Sequence, residues 1–151
     1  MRRLLRALAI GCILLGGSTA VSPAYAADLT PAAYKITVNA TCTVGVTKMK
    51  AVARPATAAA VGPFLQKQGE LGAALMRQIS SVKPPTALQS GVRKALKLQG
   101  AQVDLILGLA DKIKKGADPE ATITAADTTM TTMSTQSDVA WKAVGLSACI
   151  G

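Results

Sequence analysis

Few residues in this chain could do chemistry, and a missing one narrows the choice. There are three cysteines and five methionines but no histidine, so the commonest general base and metal ligand is absent. Cys42 and Cys149 are the thiols that remain once an expected export signal is removed, and an even pair in an exported chain reads as a disulfide. The competing reading, two thiols that bind metal, has no histidine and no third cysteine to complete a ligand set. A Cys42–Cys149 bond would close almost the whole exported chain. Loop-closure entropy gives about 4.7 kcal/mol for a loop of roughly 100 residues, an upper figure that native-state strain reduces.

Met130 and Met133 are spaced to set two thioethers on one helical face. With Met49 and Met76 elsewhere, they would suit Cu(I), which soft sulfur ligands select. Both also fall on an apolar stripe, where methionine fills gaps in a core, and core packing is the expectation. Asp104 and Asp111 could share a helix face as a carboxylate pair. Lys97, Lys112 and Lys115 are close in sequence, however, and an ordinary charged surface is expected instead. Asn39-Ala40-Thr41 matches the N-glycosylation triplet, a chance match in a bacterial export context. There is no glycine-rich phosphate loop and no dinucleotide fingerprint. The expectation is therefore a protein that is not an enzyme and needs no cofactor.

The chain holds 17 basic and 8 acidic residues, a formal charge of +9. The basic residues fall in three groups: Lys48, Lys50 and Arg54; Arg93, Lys94 and Lys97; Lys112, Lys114 and Lys115. Net positive charge attracts anionic surfaces. The first two groups are the candidate contacts for an anionic cell-wall polymer or lipid headgroups, with a solvated basic face that confers solubility as the plainer reading. Nucleic acid is not expected as a partner, because aromatics make up only 3% of the chain and leave few platforms for stacking bases.

Met1-Arg2-Arg3-Leu4-Leu5-Arg6 sets three positive charges ahead of an apolar stretch from Ala7 to Leu15, and Ala24-Tyr25-Ala26 supplies the small residues that signal peptidase requires. This predicts a signal peptide over residues 1–26, a mature domain over 27–151, and a secreted or cell-envelope location. The apolar run is well short of the roughly 20 residues that span a bilayer. Ala9-Ile10-Gly11-Cys12 is a competing feature, a partial lipoprotein box that would leave the protein lipid-anchored at Cys12. Only five apolar residues separate Arg6 from Cys12, so cleavage after Ala26 is the expectation. Cleavage discards Cys12 with Arg2, Arg3 and Arg6, and the charge falls from +9 to +6.

Four helical patterns occupy the remainder. Thr30-Pro31 is a capping hydroxyl followed by proline at the first helical position. From there Tyr34, Val38, Cys42, Gly45, Met49 and Val52 recur at intervals of three and four, one helix face. A strand reading competes over residues 43–47, which are rich in β-branched side chains. The second pattern runs from about Thr57 to Val82 on the stripe Val61, Phe64, Leu71, Leu75, Ile79 and Val82, interrupted by Gln68. Pro63 either kinks this helix or marks its first turn. Pro84-Pro85 stops it. The third begins near Thr86 on Leu88, Val92, Leu96, Gln99, Val103, Ile106, Ala110 and Ile113, and Gly116 closes it. Asp118-Pro119-Glu120 opens the fourth, with Ile123, Ala126, Met130, Met133, Ala140 and Val144 inward and Gly145 just past its end. Short loops between four amphipathic helices predict an all-α fold, an antiparallel four-helix bundle closed by one disulfide.

Ala33-Tyr34 followed by Cys42, an internal Pro63, Pro84-Pro85 and a final Gly145-Leu146-Ser147-Ala148-Cys149 together resemble the layout of a class of small exported actinobacterial proteins and lipoproteins. The resemblance spans nearly the whole of 27–151 by pattern more than by identity. It implies a helical bundle with a terminal disulfide and no activity, since that class has no established function. The leading expectation is a non-enzymatic secreted or envelope protein that acts by binding or by structure. The alternative is a carrier of a small apolar ligand in the bundle core, and the core itself discriminates between them.

Overall fold

The computed structural model describes residues 29–150; the expected signal peptide over 1–26 and Cys12 lie outside them. The elements are α1 (Pro31–Lys50), α2 (Ala58–Ser80), α3 (Thr86–Lys114), α4 (Pro119–Ala143) and a short 3-10 turn, η1 (Ser147–Cys149). No strand occurs among the described residues. The fold is an all-α four-helix bundle closed by the Cys42–Cys149 disulfide.

Local chemistry sets most helix ends. The Thr30 hydroxyl accepts a hydrogen bond from the Ala33 N–H at 3.2 Å, and Pro31 follows it. At α4 the Asp118 carboxylate accepts from the Ala121 N–H at 2.8 Å, ahead of Pro119 and Glu120. Each satisfies one of the donors that a helix start leaves unpaired. At the other ends, Gly116 and Gly145 take φ of +97° and +74°. The N–H groups of Ala117 and Leu146 then reach back to the carbonyls of Lys112 and Trp141, the bonding pattern that the left-handed residue makes possible. Pro63 stands inside α2, several residues past its start, and Thr57 makes no side-chain cap there.

Residues 43–47 are helical. Thr37, Thr41, Thr43 and Thr47 each donate a hydroxyl hydrogen bond to the carbonyl four residues earlier, at 2.8–3.0 Å, so the branched side chains are satisfied within the helix. The opposite face buries Tyr34, Val38 and Cys42 completely. That burial outweighs the local strand preference.

The inward face of α2 departs from the expected stripe. Its buried residues are Gly62, Leu65, Gly69, Gly72, Leu75 and Ile79, whereas Val61, Phe64, Leu71 and Val82 are only half-buried. The glycines hold this face because α3 passes too close for a side chain. A Cβ on Gly69 would strike Leu107, and one on Gly72 would lie 2.9 Å from Val103 Cγ2. Gly62 faces Ile113 in the same way, so positions fall along α3 as they rise along α2.

Two apolar clusters result. The larger joins Tyr34, Val38 and Cys42 of α1 to Leu75, Ile79, Val92, Ala95, Ala140, Trp141, Val144, Leu146 and Cys149. The smaller, around Leu65, Leu109, Ala110 and Ala126, involves α2, α3 and α4 only. α1 packs on α2 and on η1. After Gly145 the chain reverses onto α1. There the Asn39 side chain donates to the Gly145 carbonyl at 3.4 Å and accepts from the Ala148 N–H at 3.1 Å. Three residues further along α1, Cys42 meets Cys149 at a Cα separation of 4.8 Å.

Candidate functional site

A partly open cavity of about 200 Å³ lies between the helices, about the volume of a one-ring molecule, since an apolar cavity of about 150 Å³ takes benzene. All four helices and η1 contribute to its wall. α1 supplies Val46 and Met49; α2 supplies Gln68, Gly72, Leu75, Met76 and Ile79; α3 supplies Gln99, Gln102, Val103 and Ile106. From α4 come Ser134, Asp138 and Trp141, spaced four and three apart on one face, and Cys149 completes the wall.

The polar groups of this wall are partly satisfied. The Gln99 side-chain carbonyl accepts from Ser137 Oγ at 2.9 Å and from Trp141 Nε1 at 3.3 Å, while its NH₂ donates to Gln102 Oε1 at 3.2 Å. Ser137 and Trp141 are each 1% exposed, so Gln99 pairs donors that burial would otherwise leave unsatisfied. Gln68 donates from Nε2 to the Met49 carbonyl at 2.9 Å, at the end of α1, where the Val52 N–H also donates to it. Four capacities remain open among the described residues: the Asp138 carboxylate, the Ser134 hydroxyl, the Gln102 NH₂ and the Gln68 side-chain carbonyl. Among the described residues, Asp138 is the only ionisable side chain on the cavity wall.

The sequence had pointed elsewhere. Lys48 and Lys50 lie in the last turn of α1 with Arg54 just beyond it, and Arg93, Lys94 and Lys97 lie in the first half of α3; all six are exposed. The end of α1 is tied to the first half of α2 through Met49 and Gln68, whereas the start of α3 packs beside the end of α2 through Val92 and Ile79. The two basic groups therefore sit towards opposite ends of α2, a helix of 23 residues and about 35 Å at 1.5 Å per residue. Lys112, Lys114 and Lys115 lie at the end of α3, around the contact of Ile113 with Gly62, towards the same end as Lys48. Asp104 and Asp111 are exposed, and Asp111 pairs with Lys115 at 2.6 Å. Met130 packs against the smaller cluster, while Met49 and Met76 line the cavity.

Ser137, Asp138 and Trp141 are not among the residues that the sequence singles out. The expected α4 stripe runs through Met133 and Ala140, and continuing its three-and-four spacing between them lands on Ser137. The chain has a single tryptophan, which would have marked the same turn.

Tyr34 raises a separate point. It is fully buried, and its hydroxyl has no hydrogen-bond partner among the described residues. Desolvation by burial pushes its pKa up from the ordinary value of 10.0. The neutral form is thus favoured in the fold, so this contribution to stability is intact below pH 10 and is lost as pH rises further. Tyr34→Phe is expected to raise stability by about 1 kcal/mol by removing the unpaired group and to flatten the alkaline limb of the stability profile. Urea midpoints measured from pH 7 to pH 11 test both, and a destabilised variant would show that the hydroxyl is paired.

Among the described residues, no group of three or more histidine, cysteine, aspartate and glutamate side chains could hold a metal ion, and no helix is long and apolar enough to cross a membrane. No protein-family model, curated protein or solved structure matches the chain.

Proposed function

We propose that this is an exported, non-enzymatic binding protein that holds a small ligand at the centre of its bundle. The observation that carries the reading is the cavity, in which four polar groups remain unpaired beside a mainly apolar wall. A mostly apolar hollow with a few convergent polar groups is the general form of a ligand site. At about 200 Å³ it falls below the roughly 300–1,000 Å³ of sites for drug-sized molecules, which limits the ligand to a small one. A single carboxylate, with no histidine in the chain and both mature cysteines in a disulfide, supplies no nucleophile and base pair. The signal peptide and the likeness to small exported actinobacterial proteins support a place outside the cell or in its envelope.

Trp141 on the cavity wall provides the test. Titration with a neutral one-ring probe, benzyl alcohol, is expected to shift Trp141 emission saturably. Val46→Phe, which fills the hollow from α1, is expected to weaken that response at least about tenfold, or about 1.4 kcal/mol. No saturable response in the unaltered protein would reject the carrier reading in favour of a structural one.

A further inference from the structure

The wall of the cavity is asymmetric in a way that specifies its ligand. Asp138 carries a charge, is half-buried, and makes no hydrogen bond or ion pair among the described residues. The protein has a large excess of cations, yet among the described residues the only charged side chain on this wall is negative. Ser134 lies one turn before Asp138 and Trp141 lies one turn after it, on the same face. Carboxylate, hydroxyl and indole therefore line one side of the hollow, with the open Gln68 carbonyl offered from α2. Val46, Leu75, Met76 and Val103 add apolar surface to the same wall. One of the open acceptors, Asp138, carries full charge.

We propose that the cavity binds a small organic ammonium compound, a primary amine on a one-ring or short-chain apolar body. This rests on the carrier reading above. The ammonium group has three donors and no acceptor, matching Asp138, Ser134 and the Gln68 carbonyl. A charge-assisted hydrogen bond to a carboxylate is about twice as strong as a neutral one, and a neighbouring tryptophan ring adds attraction for a cation within about 6 Å of its centre. The apolar body occupies the Val46, Leu75, Met76 and Val103 side. An anionic ligand of the same shape would meet the Asp138 charge and is rejected.

Three probes of one shape separate the possibilities: benzylamine, benzyl alcohol and benzoate, titrated into the oxidised protein at pH 7 by calorimetry and by Trp141 emission. Benzylamine is expected to bind at least about tenfold more tightly than benzyl alcohol, and benzoate not at all. Asp138→Asn is expected to bring benzylamine down to the affinity that benzyl alcohol shows for the same variant. Because Asp138 makes no bond within the fold, the variant should unfold at the temperature of the parent. Equal binding of amine and alcohol, or an amine affinity that survives Asp138→Asn, overturns the ammonium assignment and leaves the carrier reading standing. No response to any of the three overturns both.

Discussion

Cys42→Ala, or reduction of the Cys42–Cys149 bond, is expected to lower stability by about 3–5 kcal/mol. The two cysteines are 107 residues apart, and the chain-entropy model gives about 4.7 kcal/mol for a loop of that order. The structure adds a local reason. α1 packs on α2 and η1 and takes no part in the smaller apolar cluster. Without the bond, η1 is held to α1 by the two Asn39 hydrogen bonds and by the buried Leu146. Domains of this size are stable by only about 5–15 kcal/mol in total, so the reduced protein is expected to stand near its threshold. Urea unfolding followed by far-UV circular dichroism, with and without reductant, measures the difference. A loss below about 1 kcal/mol would mean that the packing of the tail holds the bundle closed by itself. Because Cys149 is part of the cavity wall, reduction is also expected to weaken any ligand bound there.

Trp141→Ala is expected to cost about 3–5 kcal/mol, the usual range for removing a large buried aromatic side chain. The residue is 1% exposed and sits in the cluster that draws on all four helices. Its loss would enlarge a hollow that already exists, so neighbouring side chains have little to collapse onto. It would also leave Gln99 with one of its two donors. Trp141→Phe keeps a ring in place and loses the Nε1–H bond, and is expected to cost about 1–2 kcal/mol. The urea midpoints of the two variants, read by circular dichroism, give both values. Similar small losses for both would show that the larger cluster does not depend on this side chain.

What the sequence determined by itself is the local chemistry of the chain. Thr30-Pro31 and Asp118-Pro119 start helices because an oxygen and a missing N–H suit the unpaired donors there. Gly116 and Gly145 end them because glycine takes a left-handed backbone without penalty. The face of Tyr34, Val38 and Cys42 was legible because a buried stripe must repeat at the helical period, and the cysteine pair because removal of the expected signal would leave two thiols. Tertiary structure decided the rest. The inward face of α2 is Gly62, Gly69 and Gly72 around Leu65, which hydropathy alone does not mark, since a glycine is buried only where a neighbouring helix approaches its backbone. Residues 43–47 became helical because the opposite side of α1 is buried, a fact about α2 and the tail. Gln99, Ser137 and Trp141 are joined because α3 and α4 bring them together across about 40 residues of chain. Side chains polar enough to read as surface in one dimension line a cavity in three, since burial belongs to the packed helices and not to any one of them.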